Sequence, residues 1–184
     1  MTHRYVRTLA ACALAAAATA ALAQQAAAPA AAPAPYPLDD VPEKMPFNVA
    51  YGAPIGLDRA NAAIAATVAE AKRHGWPINV AVVDSGGNLV AFARMDGAQL
   101  GSIAISEHKA RASAKFRRPT RVFEEGLQKK DFKYILTLDD AIASRGGIPL
   151  IEDGKLIGAI GCSGATGSQD EVACKVGAAT VNKE

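Results

Sequence analysis

Histidine and cysteine are scarce in this chain, three of each among 184 residues, and that scarcity removes several chemistries at once. His3 and Cys12 lie in a leader described below, which leaves His74, His108, Cys162 and Cys174. These four form no Cys-x-x-Cys pair and no zinc-ligand spacing. A Ser-His-Asp triad has two histidines to draw on, and Gly161-Cys162-Ser163-Gly164 misses the nucleophile-elbow pattern because Ala165 stands where its second glycine belongs. The glycine clusters near residues 86, 146 and 164 match neither the P-loop nor the dinucleotide fingerprint, and read as turns. Charge of one sign is lacking too. Lys and Arg number 20 against 18 Asp and Glu, and the leader holds Arg4 and Arg7 and no acid, which leaves 18 of each. A neutral chain has no global field to hold a polyanion, so nucleic acid is not an expected partner. Beyond the leader, no apolar run approaches the roughly 20 residues that cross a bilayer.

The leader itself is well marked. His3, Arg4 and Arg7 supply positive charge, Thr8 to Ala20 is apolar, and Ala21-Leu22-Ala23 is a small-x-small cleavage site. Residues 1–23 are therefore expected to be a secretory signal peptide, and the protein periplasmic or secreted. Leu9-Ala10-Ala11-Cys12 resembles a lipoprotein box, but only eight residues precede it and the apolar stretch runs on past it. Residues 24–54 form an Ala/Pro-rich linker and arm, whose repeated prolines favour extended polyproline II. The arm, with Phe47 and Tyr51, is expected to lie on the domain or on a neighbouring subunit. The remaining length suits one domain, residues 55–184.

The stretch from Gly146 to Glu171 organises that domain. Asp153-Gly154 between two apolar runs is a strong hairpin signal, because a two-residue type I′ turn needs positive φ at both positions. Leu156 to Ile160 is nearly continuously apolar, as in a strand covered on both faces. Gly158, Ala159 and Gly161 would let a helix or a ligand approach its backbone closely. Cys162, at the strand's end, and Cys174, in the helix that follows, could bridge in an oxidising compartment; two small buried hydrophobes is the simpler reading.

Elsewhere, Leu57, Ala60, Ile64, Val68 and Ala71 recur at helical spacing, and His74-Gly75 suits the C-terminal cap of that helix. Residues 78–83 and 89–95 read as a first hairpin, with Asp84 at its tip satisfying turn amides. A second helix spans residues 100–116, a short one 121–130, and a last one about 169–181, where Asp170 and Glu171 suit the positive N-terminal end. Ala141-Ile142-Ala143 offers a further strand. The expected fold is α/β (α+β), with a largely antiparallel sheet of about five strands and helices packed on it.

The informative polar cluster is cationic. Lys109, Arg111, Lys115, Arg117, Arg118 and Arg121 occur with no acid among them, as a solvated face or as a local site for carboxylates or phosphates. Lys109 falls on an otherwise apolar stripe with Ile105, Ala112 and Phe116, where it either snorkels outward or meets a bound anion at a pocket rim. His108 shares a stripe with Ala104, Arg111 and Lys115.

These motifs together resemble a known family. Ala81-Val82-Val83-Asp84 with Gly87-Asn88-Leu89-Val90, His108-Lys109-Ala110, Pro119-Thr120, Gly146-Gly147-Ile148-Pro149, and Gly158-Ala159-Ile160-Gly161 through Ser163-Gly164-Ala165 to Asp170-Glu171 are similar, in this order, to the GlcG/HbpS family. The resemblance covers roughly residues 57–179. It implies a profilin-like fold, symmetric homo-oligomers and, in the HbpS branch, haem or iron binding; the PduO branch adds a corrinoid as the secondary ligand. Lys109 and Thr120 occupy positions like those of haem-binding members, and a threonine hydroxyl would hold iron weakly. His108 is this chain's own candidate axial ligand, with Met95 a distant second. The resemblance thus implies an exported protein that sequesters haem or another tetrapyrrole weakly and reversibly. His108 or Thr120 would lie at the metal, with Lys109, Arg111 and Arg118 around the ligand. Two rivals remain open: an enzyme on a small carboxylated metabolite with Lys109 in the site, and an accessory module for a membrane sensor.

Overall fold

A computed structural model describes residues 38–39 and 41–182; the expected signal peptide and the Ala/Pro tract to residue 37 lie outside the described residues. From Pro42 onward the chain is one compact unit. Its strands are β1 (Ala50–Tyr51), β2 (Asn79–Asp84), β3 (Leu89–Arg94), β4 (Gly147–Glu152) and β5 (Lys155–Ser163). Its helices are α1 (Leu57–His74), α2 (Ser102–Phe116), α3 (Arg121–Lys130) and α4 (Gly167–Ala179).

Both hairpins form as their turn residues require. Asp153 and Gly154 have φ of 49° and 71°, so β4 folds back antiparallel on β5. At the β2–β3 turn, Asp84 Oδ1 accepts the amides of Gly86 and Asn88 at 2.8 and 2.9 Å. Burial pushes the Asp84 carboxyl up, but these amides and the Asn88 side chain outweigh it and hold the group below its ordinary value. β5 pairs with β4 along one edge and with β2 along the other, and β3 follows β2, all antiparallel. β1 adds in parallel beside Lys155 and Leu156, past the end of β2. The open edge of β4 is closed by side chains: Thr120 Oγ1 accepts the Gly147 amide, Asn182 Oδ1 accepts the Ile151 amide, and Asn182 Nδ2 donates to Pro149 O. Such plugs blunt an edge that would otherwise template another strand.

Alternation along the strands, switched in β5 by an extra residue at Ile157, feeds two cores. Val80, Val82, Ile157, Ile160 and Cys162 face α1 and α4, while Ala81, Val83, Leu156 and Ala159 lie with Ala110 and Ala114 of α2. α1 ends as expected: Gly75, at φ 67°, is the cap, and His74, the last helical residue, stacks on Trp76 with centroids 4.2 Å apart. The close approach foreseen at β5 belongs to a helix. A Cβ on Gly161 would stand 2.1 Å from Ser106 O and 2.5 Å from Ala110 N, so α2 rests directly on the strand's backbone.

That proximity corrects the expected stripe of α2. Its buried residues are Ser102, Ser106, Lys109, Ala110, Ala112, Ser113 and Ala114, all small apart from Lys109 because the helix rests against glycine; of the expected stripe Lys109 and Ala112 are buried, while Ile105 turns out to solvent at 40% exposure. Residues 141–143 form no strand; the chain instead makes a 3-10 turn at Lys133–Thr137 and then runs irregularly into β4. α4 begins two residues earlier than expected, because Thr166 and Gln169 form a reciprocal capping box.

Cys162 and Cys174 are joined, with Cα atoms 5.8 Å apart, which corrects the reading of two free buried cysteines. The pairing depends on where α4 docks, and spacing alone does not report that. Replacing both by alanine is expected to lower unfolding free energy by about 3 kcal/mol in urea melts, since the bridge closes a short loop of the unfolded chain, 12 residues apart in sequence. Unchanged melts would show that the bridge contributes nothing beyond packing.

Candidate functional site

The six cations between Lys109 and Arg121 do not form one anion patch. Helical geometry and the turn after Phe116 send them to different neighbours. Lys109 points inward, at 1% exposure, and its Nζ donates to Asp170 Oδ2 at 2.9 Å and to Cys162 O at 3.0 Å. Asp170 is also 1% exposed, and its Oδ1 accepts the Ala165 amide. Burial pushes the Asp170 carboxyl up, while Lys109 and the amides of Ala165 and Gly164 pull it part of the way back. Lys109 is therefore the internal counter-charge of α4, and neither a rim residue nor a free general acid.

Next to this pair is a second charge network. Glu171, itself buried, has Lys175 Nζ at 3.1 Å, Arg121 Nη1 at 3.6 Å and Arg145 Nη1 at 3.7 Å. Arg145 grips Glu124 through its side chain and its backbone amide. Burial raises the Glu124 carboxyl, but the hydrogen bonds from Arg145 prevail and keep it below the ordinary range. Asp170 thus pairs with a buried cation and Glu171 with two half-buried ones and the exposed Lys175, where the sequence suggested only a favourable helix end.

Thr120 is fully buried. It links the start of α3 to β4 twice: its hydroxyl accepts the Gly147 amide at 2.9 Å, and its own amide donates to Gly147 O at 3.0 Å. The expectation that Lys109 and Thr120 front a ligand gives way here, because both polar groups face inward and are occupied by the fold.

The remaining candidates lie at the surface. Arg118 is half-buried against Phe47 and Phe123, away from the α2 stripe. His108 and Arg111 are half-buried on the outer side of α2, with Lys115 one turn further and exposed. Arg111 reaches Glu107 at 3.5 Å, and Lys115 Nζ donates to Asp140 at 2.6 Å. The Lys115 hydrogen bond holds the Asp140 carboxyl low against a smaller effect of burial, and the charges of Lys115, His108 and Arg111 act in the same direction. The stems of Arg111 and Lys115 also cover Gly87 of the β2–β3 turn. So the stripe is bounded by that turn and by the loop bearing Asp140. Among the described residues no hydrogen bond or ion pair engages the His108 imidazole, and no group of three or more His, Cys, Asp and Glu gathers to hold a metal ion. No helix among them is long and apolar enough to cross a membrane. Asp140 had no signal in the sequence, since its loop has no periodicity and its approach to Lys115 spans 25 residues.

What this arrangement offers is an imidazole with two cations on one accessible face, beside the exposed Ala104 and Ile105. The family described as "Haem degrading protein HbpS-like" matches residues 55–179. Protein GlcG of Escherichia coli strain K12 is 40% identical over 104 residues, which are 56% of this chain and 77% of GlcG. An uncharacterised 15.0 kDa protein from the dhaT-dhaS intergenic region of Citrobacter freundii is 36% identical over 123 residues, 65% of this chain and 87% of that one. Among solved structures, a double mutant of HbpS from Streptomyces reticuli superposes with a TM-score of 0.67 at 28% identity, covering 86% of this chain and 99% of HbpS. The PduOC:heme complex shares the fold, with a TM-score of 0.64 at 24% identity over 71% of this chain and 96% of that one.

Proposed function

The chain belongs to the HbpS-like family, and from that premise we propose that it is an exported protein that binds haem weakly and reversibly on the outer stripe of α2. The observation that carries the reading is His108: half-exposed, without a hydrogen bond among the described residues, and followed at helical spacing by Arg111 and Lys115. The donor set fits the group. An imidazole nitrogen is a common axial ligand of haem iron, and arginine and lysine pair with propionates. Ala104 and Ile105 would meet the apolar edge of the macrocycle. Bound haem would supply the redox-active iron; the chain's own residues would orient it and set its exposure to solvent. One axial ligand on an open helix face supports loose, exchangeable binding. Iron ligation falls to His108, because the Thr120 hydroxyl is closed in by Gly147. The Cys162–Cys174 bridge supports the exported part of the proposal, since such bridges persist in oxidising compartments.

A haemin titration followed by absorbance tests this. A Soret band that saturates at a defined ratio is expected, and His108→Ala should shift the band and weaken binding about tenfold or more, some 1.4 kcal/mol. Thr120→Ser, which keeps the hydroxyl on Gly147, should behave as the parent. A spectrum and affinity indifferent to His108→Ala would sink the assignment. Loss of the band in Lys109→Met, with the variant still folded, would return attention to the interior pair.

A further inference from the structure

We propose that Arg117 and Arg118, with the arm residues Phe47 and Tyr51, form a second binding site, for the carboxylate of a small planar aromatic molecule. The site lies beyond the end of α2 and does not depend on haem binding. Both arginines lack a carboxylate within ion-pair distance among the described residues, in contrast to Lys109, Arg111, Lys115 and Arg121. Arg118 is half-buried: its guanidinium lies 4.1 Å from the Phe47 centroid and 5.7 Å from that of Phe123, and its Nε donates to Phe116 O. Burial pushes this guanidinium down from its ordinary value, with Arg117 adding to the effect and Tyr134 opposing it. Arg117 lies 5.2 Å from the Tyr51 centroid and donates one N–H to Val49 O.

The backbone singles out the same place. Among the described residues five that are not glycine have positive φ, and three of them are aspartates, which tolerate it. The other two are Phe47 at 60° and Arg117 at 53°, and both are here. Arg117 holds the C-terminal cap of α2, where glycine is the usual residue. Strain of this kind persists where the surroundings impose it and often marks a functional site. Its consequence is geometric: Phe47 covers one guanidinium face, and Arg117 is directed over Tyr51.

The chemistry of the ligand follows from what remains open. Ring contacts cover the Arg118 faces and Phe116 O takes Nε, which leaves the two Nη groups to meet a pair of oxygens edge-on, the fork geometry that suits a carboxylate. The chain has five phenylalanines and four tyrosines, and Phe47, Phe123 and Tyr51 meet at this point. Tyr51 remains 51% exposed, an apolar wall for a flat ring rather than for a hydrated phosphate.

The test is a titration of the full chain with benzoate, acetate and inorganic phosphate, followed by calorimetry and NMR shifts. Benzoate should bind saturably and at least about tenfold more tightly than acetate or phosphate. Arg118→Gln should abolish that saturation, whereas Arg94→Gln, which removes an exposed charge from β3, should leave it unchanged. Arg117→Gly guards against misfolding: glycine suits the left-handed cap, so the variant should fold with unchanged or higher Tm and still bind benzoate about tenfold more weakly. Absence of saturable benzoate binding would overturn the proposal, as would phosphate binding equally well or full affinity in Arg117→Gly. None of these outcomes bears on the haemin titration, whose variants change none of Phe47, Tyr51, Arg117 and Arg118.

Discussion

Lys109→Met is expected to lower unfolding free energy by about 3–5 kcal/mol, the cost of leaving a buried charge without its partner. The carboxylate left behind is Asp170, at 1% exposure. It would retain the Ala165 and Gly164 amides, which are too little to replace an ammonium 2.9 Å away. The loss should depend on pH with a definite sign. Burial already raises the Asp170 carboxyl in the folded chain, and removing Lys109 raises it further. A carboxyl whose folded pKa lies above its unfolded value favours folding on the acid side and loses that contribution as pH rises through the folded pKa. The deficit of Lys109→Met relative to the parent should therefore be largest near pH 7 and shrink toward pH 4. Adding Asp170→Asn to Lys109→Met should recover part of the loss, because the uncompensated charge is then gone. Urea melts across pH decide the matter. A deficit below about 1 kcal/mol, flat with pH, would mean that solvent reaches the pair and that the interior assignment of Lys109 is mistaken.

Gly161→Ala should be of similar size, at about 3 kcal/mol, although it adds only one methyl group. The new Cβ would lie 2.1 Å from Ser106 O and 2.5 Å from Ala110 N, both backbone atoms of α2. Side chains can swing aside, but helix backbone moves only with its whole face. That shift would drag Lys109 from Asp170 and press α2 away from β4, where a Cβ on Gly147 would likewise stand 2.3 Å from Lys109 O. Gly101→Ala is the matched comparison: it lies at the head of the same helix, already at φ −60° and ψ −26°, with open space where the Cβ would go. It should change stability by less than about 1 kcal/mol. Equal melts for the two variants would show that α2 does not rest on β5 as described.

Both predictions turn on residues whose presence was plain in the sequence and whose partners were not. Glycine at 158 and 161 announced that something comes close to β5, without saying that it is α2 at Gly161 and Val83 of β2 with Ile55 at Gly158. Lys109 stood out as a cation on an apolar stripe, yet its stripe was drawn through Ile105 and Phe116, because hydropathy periodicity weighs side-chain character and not the depth of the groove a helix lies in. Once Gly147 and Gly161 bring α2 against the strands, its inward face has room for Ser106 and Ala110 and none for isoleucine. Asp170 and Glu171 were read as helix-end acids; their pairing with Lys109 and with Arg121 and Arg145 joins segments the sequence keeps apart, 61 residues in the case of Lys109 and Asp170. Arg117 and Arg118 were legible as charge, and only the fold sets them against Phe47 and Tyr51.

What the sequence by itself determined are features written in local stereochemistry: the Asp153-Gly154 turn, the amphipathic α1 with its Gly75 stop, Asp84 as a turn residue, and the glycine-rich central strand. Each depends on φ preference, side-chain periodicity or a capping group within a few residues. Only the tertiary structure decided which cations are interior, that Cys162 meets Cys174, that Thr120 closes β4, and that His108 stands apart on the outer face of α2. Those outcomes depend on distances between segments far apart in the chain, set by how closely small residues let helix and sheet approach.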